Sequence, residues 1–126
     1  MGQTKMTQLK KAHQIVIELT SSDPQEWEKL VNNAENLIRA LGESATMVEI
    51  VSHGDGLQIL LKSTANRPEE RMQKLSKIGV VFAACENTMR RMDITPGDLV
   101  PYAEPIDSGV AEVVRKCEEG WSYISR

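Results

Sequence analysis

Apolar positions along this chain follow two different periods, and the switches between them divide it into short strands and helices. A first run, residues 12–19, carries Ile15-Val16-Ile17 and reads as a strand. Thr20-Ser21-Ser22-Asp23-Pro24 breaks it, with Asp23 or Ser22 placed to cap a helix and Pro24 tolerated in its first turn. Trp27, Leu30, Val31, Ala34, Leu37, Ile38 and Leu41 then recur at steps of three and four, which makes one apolar helix face, closed by Gly42. Residues 46–52, with Met47, Val48, Ile50 and Val51, form a second strand, and His53-Gly54-Asp55-Gly56 a turn. A short helix is expected over 57–62 and another over 68–77, with Met72 and Leu75 inward and Gly79 as its stop. Val80-Val81-Phe82-Ala83-Ala84 is apolar throughout, a third strand that ends at Cys85. A short helix over 87–92, a Pro96-Gly97 turn and a fourth strand near 100–103 follow. Ser108 caps a last helix, whose Val110, Val113, Val114 and Cys117 share one face. This stripe predicts that Cys117 lies in the core. Gly120 ends the helix, and residues 121–124 complete a final strand.

Strands that alternate with helices at this spacing imply right-handed βαβ units, hence an α/β domain on a parallel sheet. Strands apolar on both sides fit, because parallel sheets are covered on both faces. At 126 residues the chain has room for one domain, expected over 12–126 behind a flexible tail over 1–11. The net charge of −3 gives no electrostatic reason to expect nucleic acid or an anionic membrane as partner. No apolar run has the length of a membrane span or the form of a cleavable signal, so the cytoplasm is the default location. Two cysteines without a C-x-x-C pair make neither a disulfide framework nor a zinc site, and no metal or organic cofactor is called for.

Open parallel sheets bind ligands at the carboxyl ends of their strands. That rule selects Thr20 to Asp23, His53 to Gly56, Cys85 to Thr88, and Ser108-Gly109. The first turn has no G-x-G-x-x-G and the chain no Walker sequence, which leaves little support for a dinucleotide or P-loop reading. Cys85 is the leading candidate. A thiol at a strand end ahead of a helix meets unpaired N–H groups and the positive end of the helix dipole, both of which favour the thiolate. Glu86 opposes this. The competing reading of Cys85 is a small buried hydrophobe. His53 ends the second strand and reads either as a base or ion-pair partner for the thiol or as a turn residue bonding the backbone. Cys85 and Arg91 also have the C-x5-R spacing of thiol phosphatases and rhodanese-type loops. The segment lacks the glycines that help wrap N–H groups round an oxyanion, and Glu86 would repel one. Arg90 and Arg91 read either as added positive potential or as solvated surface.

Four segments, in this order, resemble the DsrE/DsrF-like family, also called DsrEFH-like or YchN-like. They are His53-Gly54-x-Gly56-Leu57, Val81-Phe82-Ala83-Ala84-Cys85-x-Asn87-Thr88, Ser108-Gly109-Val110-x-Glu112, and Gly120-Trp121-x-Tyr123-Ile124. The likeness is nearest to the stand-alone intracellular sulfur oxidation group. It implies a three-layer α/β/α domain with a five-stranded parallel sheet of order 4-3-2-1-5, which sets His53 beside Cys85. It also implies homotrimers or homohexamers, and sulfur carried in the cytoplasm as a persulfide on the cysteine matching Cys85, between donor and acceptor proteins or small thiols. Catalytic roles then fall to Cys85 and His53. Gly54, Gly56, Asn87, Thr88, Ser108 and Gly109 are expected around the ligand. The second reading is a non-catalytic oligomeric module that binds a small ligand at the same sheet edge.

Overall fold

The computed structural model of the chain describes residues 11–126. The tail expected over 1–11 lies, except for Lys11, outside the described residues. Lys11 itself donates from Nζ to the Ser44 carbonyl at 2.9 Å.

Five parallel strands form one sheet: β1 (His13–Leu19), β2 (Thr46–Ser52), β3 (Val81–Cys85), β4 (Ala103–Ile106) and β5 (Ser122–Ser125), in the order β4-β3-β2-β1-β5. Four helices connect them: α1 (Pro24–Leu41), α2 (Glu69–Lys77), α3 (Glu86–Arg91) and α4 (Gly109–Glu118). This is the expected sheet and strand order. α1 begins where the sequence places its start. The Asp23 carboxylate accepts the Gln25 N–H at 2.9 Å, Pro24 occupies the first turn, and the Gly42 N–H closes the end on the Ile38 carbonyl.

Alternation along the strands sorts side chains onto two unequal faces. Ile15, Ile17 and Leu19 of β1, Val48 and Ile50 of β2, and Phe82 and Ala84 of β3 face the large core. There they meet Trp27, Leu30, Val31 and Ala34 of α1, and Met72 and Leu75 of α2. The opposite face has a small core of Val16, Val51, Ala83 and Val113 under the single helix α4, with Ile106 and Trp121 at its margin. Among the described residues, no helix is long and apolar enough to cross a membrane.

Three expectations are corrected. Residues 54–60 form a 3-10 turn segment rather than a helix over 57–62. Gly56 explains the tight path, since a Cβ there would stand 2.2 Å from the Leu19 carbonyl oxygen. The fourth strand is shifted to Ala103–Ile106. Val100, expected at its start, is instead pulled with Leu99 into the large core, where the Val100 N–H bonds the Leu60 carbonyl at 2.8 Å. The strand that remains contains Glu104 and Pro105, tolerated because β4 is an edge.

The third correction concerns α4. Its apolar stripe does not face the sheet: Val113 is buried, but Val110 and Val114 are exposed at 58% and 49%, and Cys117 is exposed. The helix is turned so that Gly109, Glu112, Val113 and Lys116 look inward. The physical reason is Glu49, which projects from the middle of β2 onto this face and is only 5% exposed. A buried carboxyl needs polar partners. Lys116 Nζ lies 3.8 Å from Glu49 Oε1 and over the Trp121 ring at 4.7 Å, and Glu112 shares a hydrogen bond with Glu49. Burial, then the Glu112 carboxyl, push Glu49 up to about 8, so that Glu49 keeps the proton and Glu112 accepts it.

Candidate functional site

Strand register brings the sequence-selected residues together. Ser52 pairs with Ala84, so the residues that follow them, His53 and Cys85, stand level at the carboxyl edge of the sheet and on the same face. Leu19 pairs with Ser52, which places Glu18 diagonally below His53 on that face. Tyr123 of β5 is level with Val16 and diagonal to Glu18 in turn. Tyr123, Glu18, His53 and Cys85 thus form a polar diagonal across four strands.

Cys85 ends β3 and caps α3. Its Sγ accepts the Gly109 N–H at 3.2 Å and the Thr88 N–H at 3.5 Å. The Thr88 hydroxyl also favours the sulfur anion. That hydroxyl accepts the Gly54 N–H at 2.9 Å, and a nitrogen of the Arg91 guanidinium lies 3.4 Å away. With its lone pairs so engaged, its one proton is free to turn toward the sulfur. Burial alone would push the Cys85 thiol up. The Thr88 hydroxyl and the N–H groups of Gly109, Thr88 and Asn87 outweigh it and hold the thiol below its ordinary range.

His53 is fixed from two sides. Its Nε2 lies 2.6 Å from Glu18 Oε2, and the Tyr123 hydroxyl donates to the other oxygen of the same carboxylate. Burial would raise Glu18, but the hydrogen bonds from Tyr123 and His53 hold it below the usual carboxylate range. An ionised Glu18 only accepts, so Nε2 carries a proton. On its other side the His53 ring lies against Gly109. A Cβ on Gly109 would stand 2.8 Å from His53 Cβ and 2.9 Å from Cγ. Gly109 is therefore the residue that lets α4 approach closely enough for its first N–H to reach the sulfur.

A cavity of about 480 Å³ opens over Cys85, lined by His53, Asn87, Thr88, Arg90, Arg91, Ser108 and Val110. Of the expected ligand residues, Asn87, Thr88 and Ser108 line it, and Gly109 bonds the sulfur. Gly54 acts through Thr88. Gly56 packs on β1 at Leu19 and does not reach the cavity. Cys85 itself is only 4% exposed, at the base of this space. Sequence reasoning left Arg90 and Arg91 open and missed Glu18, Tyr123 and Val110. Glu18 carries a signal that could have found it: it is the one charged residue in an otherwise apolar central part of β1. Among the described residues, no group of three or more His, Cys, Asp or Glu side chains is arranged to hold a metal ion.

A model of the DsrE/DsrF-like family matches residues 14–125. Among curated proteins none matches the chain. Among solved structures, the chain is similar to the protein of unknown function MTH1491 from Methanobacterium thermoautotrophicum. The two are 28% identical with a TM-score of 0.83, over 90% of this chain and 99% of that one. The ychN protein from E. coli superimposes with a TM-score of 0.65 at 16% identity, over 90% of this chain and 99% of that one. The conserved protein of unknown function BT1422 from Bacteroides thetaiotaomicron gives 0.67 at 11% identity, over 90% and 94%. At these identities the last two share the fold alone.

Proposed function

The chain belongs to the DsrE/DsrF-like family, and from that premise we propose that it carries sulfane sulfur as a persulfide on Cys85. One observation carries the reading: a nearly buried sulfur that receives the N–H groups of Gly109 and Thr88, in a setting that holds the thiol below its ordinary range despite burial. Such a set stabilises a sulfur anion, whether thiolate or persulfide, in a place where burial would otherwise suppress it.

The chemistry follows from that set. The Cys85 thiolate attacks the donor's sulfane sulfur, the donor's S–S bond breaks, and the electron pair leaves with the donor's thiolate. Cys85–S–S⁻ remains. An acceptor thiolate then attacks the outer sulfur, and Cys85 departs as thiolate. A lowered thiol makes a better leaving group, so the same hydrogen bonds that aid loading also aid discharge. His53, anchored by Glu18, supplies polar surface beside the sulfur, and Asn87 and Ser108 line the path to it. The test is to expose the protein to a persulfide donor and locate the added sulfur by peptide mass. Sulfur on Cys85, absent in Cys85→Ser, supports the carrier. An unmodified Cys85 beside fully persulfidated control thiols refutes it and favours the ligand-binding module.

The unequal faces support self-association in the same protein. A parallel sheet is ordinarily covered on both sides, yet here one short helix covers the second face and leaves Val110, Val114 and Tyr123 exposed. A second copy of the chain, in a trimer or hexamer, would cover them. Light scattering at micromolar concentration checks this, and a monomer would contradict it.

A further inference from the structure

We propose that the cavity over Cys85 takes a small thiosulfonate-type anion, a sulfane sulfur bonded to a sulfonate group, with Arg90 and Arg91 holding the sulfonate. This rests on the persulfide reading and names the donor class for it.

Access comes first. Cys85 is 4% exposed at the base of a cavity of about 480 Å³, the size of an ordinary small-molecule site. A donor sulfur must enter that space to reach the thiolate, which favours a compact molecule over a sulfur held against a protein surface. Charge comes second. Arg90 and Arg91 end α3, but both side chains run back toward its start, as helical side chains do. Arg90 donates to the Asn87 side chain, and Arg91 reaches the hydroxyl of Thr88, whose N–H bonds the sulfur. One residue, Thr88, therefore touches both the Arg91 guanidinium and Sγ. Among the described residues, neither arginine forms an ion pair, whereas Arg67, Arg71, Arg115 and Arg126 each do. The nearest histidine, His53, is engaged by Glu18. Two unneutralised guanidinium groups thus border the thiol of a chain whose net charge is −3. Their planar forks suit an oxyanion. The spacing Cys85-x5-Arg91, which the lack of glycine had argued against, places its two members at one cavity, and Gly109, arriving from α4, supplies the sulfur with an N–H that a glycine-rich loop would have provided.

The reaction balances without an oxidant or reductant. The Cys85 thiolate attacks the outer sulfur of thiosulfate, the S–S bond breaks, and the electron pair leaves on sulfite. Cys85–S–S⁻ and sulfite carry the same total charge as the reactants. Arg90 and Arg91 face the oxygens on which the leaving charge develops.

The test uses the Cys117→Ser protein, so that Cys85 is the one thiol present. Sulfite release and Cys85 persulfide are followed against thiosulfate concentration. Loading should saturate, and Arg91→Gln and Arg90→Gln should each raise the half-saturating concentration by about tenfold or more, the size of one lost charge-assisted contact. Arg91→Lys should recover part of the loss. Thermal melts confirm that each variant is folded, and the two single variants stand in for one another should either fail to fold. A parallel arm loads the protein with glutathione persulfide. Loading by glutathione persulfide without sulfite release from thiosulfate overturns this proposal and leaves the carrier reading intact. Saturable thiosulfate loading that ignores both arginines also overturns it. No loading from either donor overturns both.

Discussion

Replacing Thr88 by valine deletes one hydroxyl and leaves the volume of the side chain nearly unchanged. In the folded protein that hydroxyl favours the Cys85 anion and takes the Gly54 N–H at 2.9 Å. Two effects follow, and they are separable. A hydrogen bond to an ionised partner is worth about 1.5–3 kcal/mol. The lower end applies here, because the charge on sulfur is diffuse and the site borders a cavity. A loss of about 1.4 kcal/mol lowers the thiolate fraction about tenfold at a pH below the thiol's titration. The Gly54 N–H is also left without a partner, which costs about 1–3 kcal/mol of stability if water does not replace it. The assay is iodoacetamide alkylation of Cys85 in a Cys117→Ser background, with the rate followed from mildly acidic to alkaline pH. Thr88→Val should shift that profile to higher pH and slow alkylation about tenfold at neutrality, by the same hydrogen-bond magnitude. Thr88→Ser, which keeps the hydroxyl, should restore most of the rate. Chemical denaturation separately reports the Gly54 effect. An unchanged pH profile in Thr88→Val would refute the assignment of the hydroxyl as a donor to the sulfur.

Three other outcomes are expected. Gly109→Ala should push α4 away from the sheet edge, since the new Cβ meets His53 Cβ and Cγ at 2.8 and 2.9 Å, and should cost about 1–3 kcal/mol of stability; alkylation of Cys85 should slow as the Gly109 N–H leaves the sulfur, and an unchanged rate would contradict the contact. Glu49 holds its proton up to about 8 against an ordinary 4.5, so the folded state binds a proton that the unfolded chain releases. Its contribution is therefore complete below the ordinary carboxylate range and is lost as pH rises through about 8. Glu49→Gln should flatten that decline by about 1 kcal/mol per pH unit within the window, read by urea unfolding across pH, and a slope parallel to the unsubstituted protein's would contradict it. The two thiols should divide by reagent size: a bulky maleimide should label exposed Cys117 first, while small iodoacetamide should reach Cys85 through its cavity at mildly acidic pH. Faster maleimide labelling of Cys85 would count against its burial.

The parts of the fold that were legible in the sequence are those whose local pattern and tertiary role agree. Ile15-Val16-Ile17 and Val81 to Ala84 are apolar on both sides because the central strands are buried on both faces, and α1 carries its cap, first-turn proline, apolar stripe and terminal glycine in order. β4 was misplaced because Leu99 and Val100 answer to the core rather than to the sheet. α4 was located correctly but turned wrongly. A hydrophobic stripe predicts an inward face only when nothing else on the facing surface demands a partner, and the buried Glu49 demands Glu112 and Lys116. Cys117 was misjudged by the same step.

The site divides in a similar way. Cys85, His53, Thr88 and Gly109 were legible because strand ends and helix starts are marked in the sequence, and a parallel sheet gathers them at one edge. Glu18 and Tyr123 were not, because their contact spans 105 residues and depends on β5 returning beside β1. Gly56 was expected around the ligand but serves a close approach to Leu19. Local sequence cannot tell these two uses of glycine apart.

The central claim is that Cys85 receives one sulfur and gives it up again, and a time course of intact mass tests it most directly. The Cys117→Ser protein is exposed to a sulfane donor, freed of the excess, and mixed with an acceptor thiol. The mass should rise by one sulfur atom per chain and fall again on mixing as the sulfur appears on the acceptor, with no gain in a variant that also carries Cys85→Ser. A chain that gains nothing while control thiols are persulfidated, or that gains sulfur equally without Cys85, would contradict it.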